Sequence, residues 1–155
     1  MNQKASSICV GEISAIYPER GTARVLLPDF GLVTKECQIV FPASVKSHDY
    51  RMPEVGETVL VAFLDNGHET GFIIGYVYNK KDPVPVASAD VRHWSMEGAG
   101  AIELDRADGS MTFVDASGSV IKMAGGDIVL KSKRNILLNP SGDIEIPPHL
   151  SCIFD

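Results

Sequence analysis

The chain has 155 residues, room for one ordinary domain or two small ones, and 45% of them are hydrophobic, so at least part of it can bury a core. Its 14 basic against 20 acidic residues leave a formal net charge of −6, which argues against a protein that grips a nucleic-acid backbone with a basic face. Neither a signal peptide nor a membrane span is expected, since no apolar run follows the polar start MNQKASS and none of sufficient length occurs later.

Residues 1–7 read as a loose, polar N-terminus. Ile8 to Tyr17 reads as a strand of mixed alternation, ended by Pro18 and the turn Glu19-Arg20-Gly21. Thr22 to Leu27 is a cleaner strand, with Ala23, Val25 and Leu27 on one face and Arg24 on the other, and Pro28 stops it because proline cannot donate to a ladder. Asp29 to Gly31 turns the chain, Val33 to Phe41 gives a third strand, and Pro42 to Arg51 is a wet connection. The stretch from Met52 to Asn79 carries the firmest pattern. Val59, Val61 and Phe63 recur at period two, Ile73, Gly75 and Val77 do so after the break, and Asn66-Gly67 between them signals a hairpin turn with strands over 57–64 and 71–78. Five strands over residues 8–80, with no helical stripe, predict a small closed or nearly closed β-barrel, with an OB-like barrel the natural choice; a five-strand SH3-like barrel would read almost the same.

The texture changes after residue 80. Residues 81–97 read as linker and transition, and residues 98–155 as a stem and tip. Breaks at Asp108-Gly109, Ser117-Gly118, Gly125-Gly126, Arg134-Asn135 and Ser141-Gly142 recur at intervals of seven to nine residues. Between them lie short alternating pairs: Ile102 and Leu104, Met111 and Phe113, Ile128 and Leu130, Ile136 and Leu138, Ile144 and Ile146. The 120–123 segment fits in either of two phases, and Ile121 with Met123 facing inward is chemically better than Val120 with Lys122. Such two-residue rungs cannot form a core singly, and even stacked they leave a row that needs a cover. Either the ribbon folds back onto the barrel or several copies wrap round one axis. With no covering element in the sequence, an intertwined β-helix of several chains is favoured. Six rungs at roughly 5 Å spacing would make a rod on the order of 30 Å long.

Met52-Pro53, Gly56-Glu57, Val59, Val61, Phe63, Gly71 and Gly75-Tyr76-Val77-Tyr78-Asn79 together resemble the phage baseplate assembly protein V family. That family includes the central spikes of contractile tails and is related to the VgrG spikes of type VI secretion. Gly11-Glu12-Ile13, Ala23-Arg24-Val25 and Pro28-Asp29-Phe30-Gly31 fit its first strands, and Ile102-Glu103-Leu104-Asp105 resembles the start of its repeated stem. The likeness spans roughly residues 8–146. It implies an all-β fold, an N-terminal OB barrel followed by a triple-stranded β-helix in a homotrimer. The implied place is the centre of a virion or tailocin baseplate, assembled in the host bacterial cytoplasm. Barrels would lie against hub and tail tube proteins, and the stem would breach the target envelope, touching it transiently, when the sheath contracts. The dry axis would be built from the paired residues named above, Ile102 through Ile146, with Ile121 and Met123 included.

Spikes of several relatives end in a His-any-His pair that holds an iron ion. Here the C-terminus, PPHLSCIFD, has one histidine. On a three-fold axis His149 would supply three ligands and Cys152 three more, but a single terminal histidine is more often exposed or packed, so the expectation is no cofactor, with a tip metal as the alternative. The departure also leaves room for a separate PAAR-like tip protein. The three cysteines, Cys9, Cys37 and Cys152, are too few and scattered for a disulfide scaffold and read as reduced thiols. Enzymatic readings fail, because His48-Asp49 and His68-Glu69 are adjacent pairs without a nucleophile at a defined spacing. The alternative function is an OB-type carbohydrate- or ligand-binding module of a tail or cell-surface assembly. Nucleic acid is disfavoured by charge.

Overall fold

The alternation of Ala23, Val25 and Leu27 with Arg24 and Leu26 decides which side of the second strand goes inward, and all three of the former are fully buried. The computed structural model describes residues 7–44, 46–64 and 69–138, and the chain divides into two compact units at Val84/Pro85.

The first unit contains β1 (Ser7–Tyr17), β2 (Thr22–Leu27), a short 3-10 turn (Pro28–Phe30), β3 (Leu32–Val33), β4 (Cys37–Ile39), β5 (Ala43–Ser44), β6 (His48–Asp49), β7 (Thr58–Phe63) and β8 (Phe72–Tyr76). Strands β1, β2, β4, β8 and β7 pair in that order and return to β1, which closes a five-stranded, OB-like barrel. All pairings in the ring are antiparallel except β4 with β8, where Gln38 and Ile39 run parallel to Phe72 and Ile73. One long strand serves two neighbours: residues 7–12 of β1 pair with β7 and residues 12–17 with β2. The register slips between Ile13 and Ala15, leaving Ser14 as the extra residue of a bulge, and its Oγ donates to the Arg24 carbonyl at 3.1 Å. That bulge lets β1 bend round the barrel.

The core is Ile13, Ala23, Val25, Leu27, Cys37, Ile39, Val59, Val61, Phe63 and Ile73. Gly11 sits where β1 crosses closely over β2: a Cβ there would lie 2.3 Å from Val25 Cγ1 and 2.7 Å from the Leu26 carbonyl oxygen. The stretch expected as one strand over 33–41 is two, β3 and β4, because buried Thr34 interrupts it. Its Oγ1 accepts from the Val25 N–H at 3.0 Å, its own N–H donates to the Val25 carbonyl at 2.8 Å, and Arg24 Nε donates to its carbonyl at 2.9 Å. The connection over 42–51 holds the small β5–β6 ladder, with Phe41 and Tyr50 rings 5.2 Å apart.

Val59, Val61 and Phe63 are all fully buried. Their partner strand departs from the expected phase. Leu60 faces Gly75 but Val61 faces Ile73, so Ile74 is a bulged residue and Gly75 shares the outer face of the barrel with Leu60. The Asn66-Gly67 turn lies outside the described residues.

The second unit is β9 (Val91–Met96), β10 (Gly100–Asp105), β11 (Ser110–Asp115), β12 (Val120–Ala124) and β13 (Asp127–Lys131), paired in chain order as an antiparallel meander. The repeat read as two-residue rungs consists of strands of five or six residues, each hydrogen-bonded to its neighbours in the same chain. The expected breaks at 108–109, 117–118 and 125–126 fall in the hairpin turns. Gly125 and Gly126, with φ of 61° and 92°, form a two-residue connection whose twist only positive φ at both positions provides. β9 lies inside the stretch read as linker.

Adding one methyl at the crossing of β1 and β2 overpacks backbone as well as side chain. Gly11→Ala is expected to lower stability by about 1–3 kcal/mol, read as a lower urea midpoint.

Candidate functional site: an uncovered apolar sheet face

Antiparallel pairing places directly opposed residues on the same side of a sheet. In the second unit the register therefore assembles two rows across the strands. Trp94, Ile102, Phe113, Ile121 and Leu130 stand opposite one another in sequence from β9 to β13. Alongside them run Arg92, Leu104, Met111, Met123 and Ile128. Nine of these ten side chains are apolar, and the exception, Arg92, lies at the β9 end with its guanidinium 4.4 Å above the Trp94 ring.

The opposite face is different in chemistry. His93, Glu103, Thr112, Lys122 and Val129 form one of its rows, with His93 Nδ1 2.8 Å from Glu103 Oε1. The other full row on that face is Ser95, Ala101, Val114, Val120 and Lys131, so that face is mixed where the first is almost wholly apolar. The apolar face is nevertheless open: Phe113 is 36% and Leu130 47% exposed, and Ile128 reaches 68%. Leu104, Met111 and Met123 are half-buried by their neighbours in the rows. A contiguous exposed apolar sheet face of this extent is characteristic of an interaction surface.

The turns that hold the rows in register are fixed by carboxylates. Asp108 accepts from the Ser110 N–H at 2.9 Å, and Asp115 accepts from the Ser119 N–H at 2.8 Å and from the Ser117 hydroxyl at 2.8 Å. Hydrogen bonds from Ser110 hold the Asp108 carboxyl below the usual aspartate range, and those from Ser117 and Ser119 do the same for Asp115.

Of the residues expected to line a stem, Ile102, Leu104, Met111, Phe113, Ile121, Met123, Ile128 and Leu130 share this face. Ile136 and Leu138 are exposed and belong to no strand. Ile144, Ile146, His149 and Cys152 lie outside the described residues, as does His68. Among the described residues no group of three or more His, Cys, Asp or Glu is placed to hold a metal ion, and Cys9 and Cys37 are free. His48 is exposed in β6 opposite Ser44, and Glu69 pairs with Lys35. In the barrel, Pro53 is buried, Gly56 has a φ of 97°, and a Cβ at Gly71 would lie 2.6 Å from the Ala62 carbonyl oxygen. Trp94 and its strand were missed from sequence; the alternation Arg92, Trp94, Met96 was the available signal.

Residues 10–78 match the family model described as the type VI secretion system/phage-baseplate injector OB domain. A domain of the phage baseplate assembly protein V family is therefore present over those residues, and it is a structural, non-enzymatic domain. No curated protein matches the chain.

Because the folded pKa of Asp115 is depressed, its contribution to stability is present above the ordinary aspartate pKa and is lost as pH falls through the folded value. Carboxyl titration followed by NMR should give a midpoint below that of an unperturbed aspartate, and Ser117→Ala should move it upward.

Proposed function

We propose, with a baseplate-injector OB domain over residues 10–78 as the starting point, that the chain is the central spike or hub component of a contractile-tail injection apparatus. In this reading the barrel attaches to hub and tube, and the second unit is a self-assembling stem. The observation that carries it is the pair of apolar rows on an uncovered sheet face. A sheet with one apolar face needs a second layer, and closed symmetry supplies it from further copies of the same chain.

Three copies arranged round an axis would each turn this face inward and keep the His93–Glu103–Lys122 face in water. Ile102, Phe113, Ile121 and Leu130 in one row, and Leu104, Met111, Met123 and Ile128 in the other, would then form a dry interior. Ile136, Leu138, Ile144 and Ile146 would extend it as a triple-stranded β-helix toward the tip. Such a stem transmits load because its strands are hydrogen-bonded along its length and its free edges are covered by neighbouring copies. Sheath contraction would drive it through the target envelope. The tip would be finished either by a PAAR-like protein or by His149 and Cys152 gathered on the axis. The setting is the baseplate of a virion or tailocin.

Light scattering on the full chain should give three times 16.7 kDa. Leu130→Asp buries carboxylates against each other in the assembly, so it should yield monomer. A native trimer of that variant would count against the stem. A wild-type monomer with affinity for glycans would favour the carbohydrate-binding alternative.

A further inference from the structure

Arg92 is the one charged side chain in the two apolar rows of the second unit, and it stands at one end of them. Its row runs from Arg92 on β9 to Ile128 on β13, and the row beside it runs from Trp94 to Leu130. The face is therefore polarised along its length, with a guanidinium and an indole on the first strand and aliphatic side chains on the last. The Arg92 guanidinium lies over the Trp94 ring. Asp90, the carboxylate nearest to it in sequence, is committed to Arg106. Among the described residues Arg92 has no ion-pair partner.

Copies of the chain can cover this face in two directions, and the apolar side chains alone do not choose between them. In the reversed direction β9 of one copy lies over β13 of the next. A two-fold axis along the strands then keeps each row over itself, so Arg92 comes to rest on Ile128. An aliphatic surface offers a guanidinium neither a hydrogen bond nor a counter-charge, and burial there is strongly unfavourable. In the parallel direction, about an axis running along the rows, β9 lies level with β9. Each guanidinium then meets tryptophan faces, its own and a neighbour's, which is a favourable contact for a weakly hydrated cation. β9 is also the edge strand of its sheet, so the remaining N–H groups reach water at the end of the rows. Guanidinium groups gathered at that wet end repel one another through a high dielectric, a smaller penalty than burying one unpaired.

We infer that Arg92 sets the direction in which copies of this chain associate: parallel, with β9 level with β9, the reversed arrangement being rejected by the guanidinium it would strand among aliphatic side chains. Specificity here comes from a penalty on the wrong arrangement as much as from contacts in the right one. The inference rests on the self-assembly proposed above, and it adds the residue that gives the assembly its polarity. A rod of parallel copies has two different ends, whereas a reversed pair has two alike.

The test uses the full chain carrying Ile102→Cys and Ile121→Cys, mildly oxidised, with the mass in solution measured on the same sample. Interchain disulfides are identified by peptide mass spectrometry, so that native thiols do not count. Positions 102 and 121 lie on β10 and β12, about 10 Å apart within one chain, beyond disulfide reach. Parallel copies join 102 to 102 and 121 to 121, whereas reversed copies join 102 to 121. Like-with-like disulfides should outnumber 102–121 disulfides by about tenfold or more. Arg92→Leu should lower that ratio by at least about threefold while the protein still assembles, and Arg92→Lys, which keeps the charge, should preserve it. A predominance of 102–121 disulfides, or no like-with-like disulfide at all, would overturn the inference. So would a ratio unmoved by Arg92→Leu, an Arg92→Lys variant that behaves like Arg92→Leu, or an Arg92→Leu variant that no longer assembles. Each of these leaves the assembled mass of the parent protein, and with it the stem, in place. A parent protein of monomer mass would instead remove the assembly itself and its direction with it.

Discussion

The parallel pairing of Gln38 and Ile39 with Phe72 and Ile73 closes the barrel, and the remaining order of the first unit depends on that closure. Without it β4 and β8 would each present an unpaired edge, and the core would be open along one side. Closure also demands that one strand bridge the ring at the far side. β1 does so by spending its first half on β7 and its second half on β2, with Ser14 as the hinge of the bulge. Gly11 then lies where the two layers come closest, and Thr34 supplies from its side chain the acceptor that a continuous strand would have supplied from its backbone. These are consequences of one geometric requirement.

The second unit meets the edge and face problems differently. Its five strands satisfy one another's backbone groups in chain order, but a single antiparallel layer buries neither face. One face is mixed, with His93, Glu103, Thr112 and Lys122 in one of its rows. The face built from Trp94, Ile102, Phe113, Ile121 and Leu130 is not, and its exposure is the strongest physical statement the molecule makes about needing company.

Much of this was legible in the residues themselves. Period-two alternation marked β2 and β7, because a strand half-buried in a closed barrel must send alternate side chains inward, and Ala23, Val25, Leu27, Val59, Val61 and Phe63 do so without exception. The spaced glycines at 109, 118 and 125–126 marked the turns of the meander, because tight hairpins need residues that accept positive φ. The preference for Ile121 and Met123 over Val120 and Lys122 rested on chemistry alone, and the register sets the former pair opposite Phe113 and Met111.

What the sequence by itself determined is the strongly alternating strands β2 and β7, the turns of the second unit and many of the residues that avoid water, since these follow from local alternation and turn chemistry. Tertiary structure alone decided which strands are neighbours. The parallel β4–β8 pair joins residues far apart in the chain, and nothing local encodes it. It also decided phase where a bulge intervenes: one extra residue at Ile74 moves Gly75 from the inner face, where alternation puts it, to the outer one. It decided, too, that Arg92, Trp94 and Met96 belong to a strand inside the stretch read as linker, because β9 is held by its ladder with β10. Side-chain periodicity is a property of neighbours in sequence, whereas pairing is settled by which unsatisfied backbone edge lies within reach once the chain has folded.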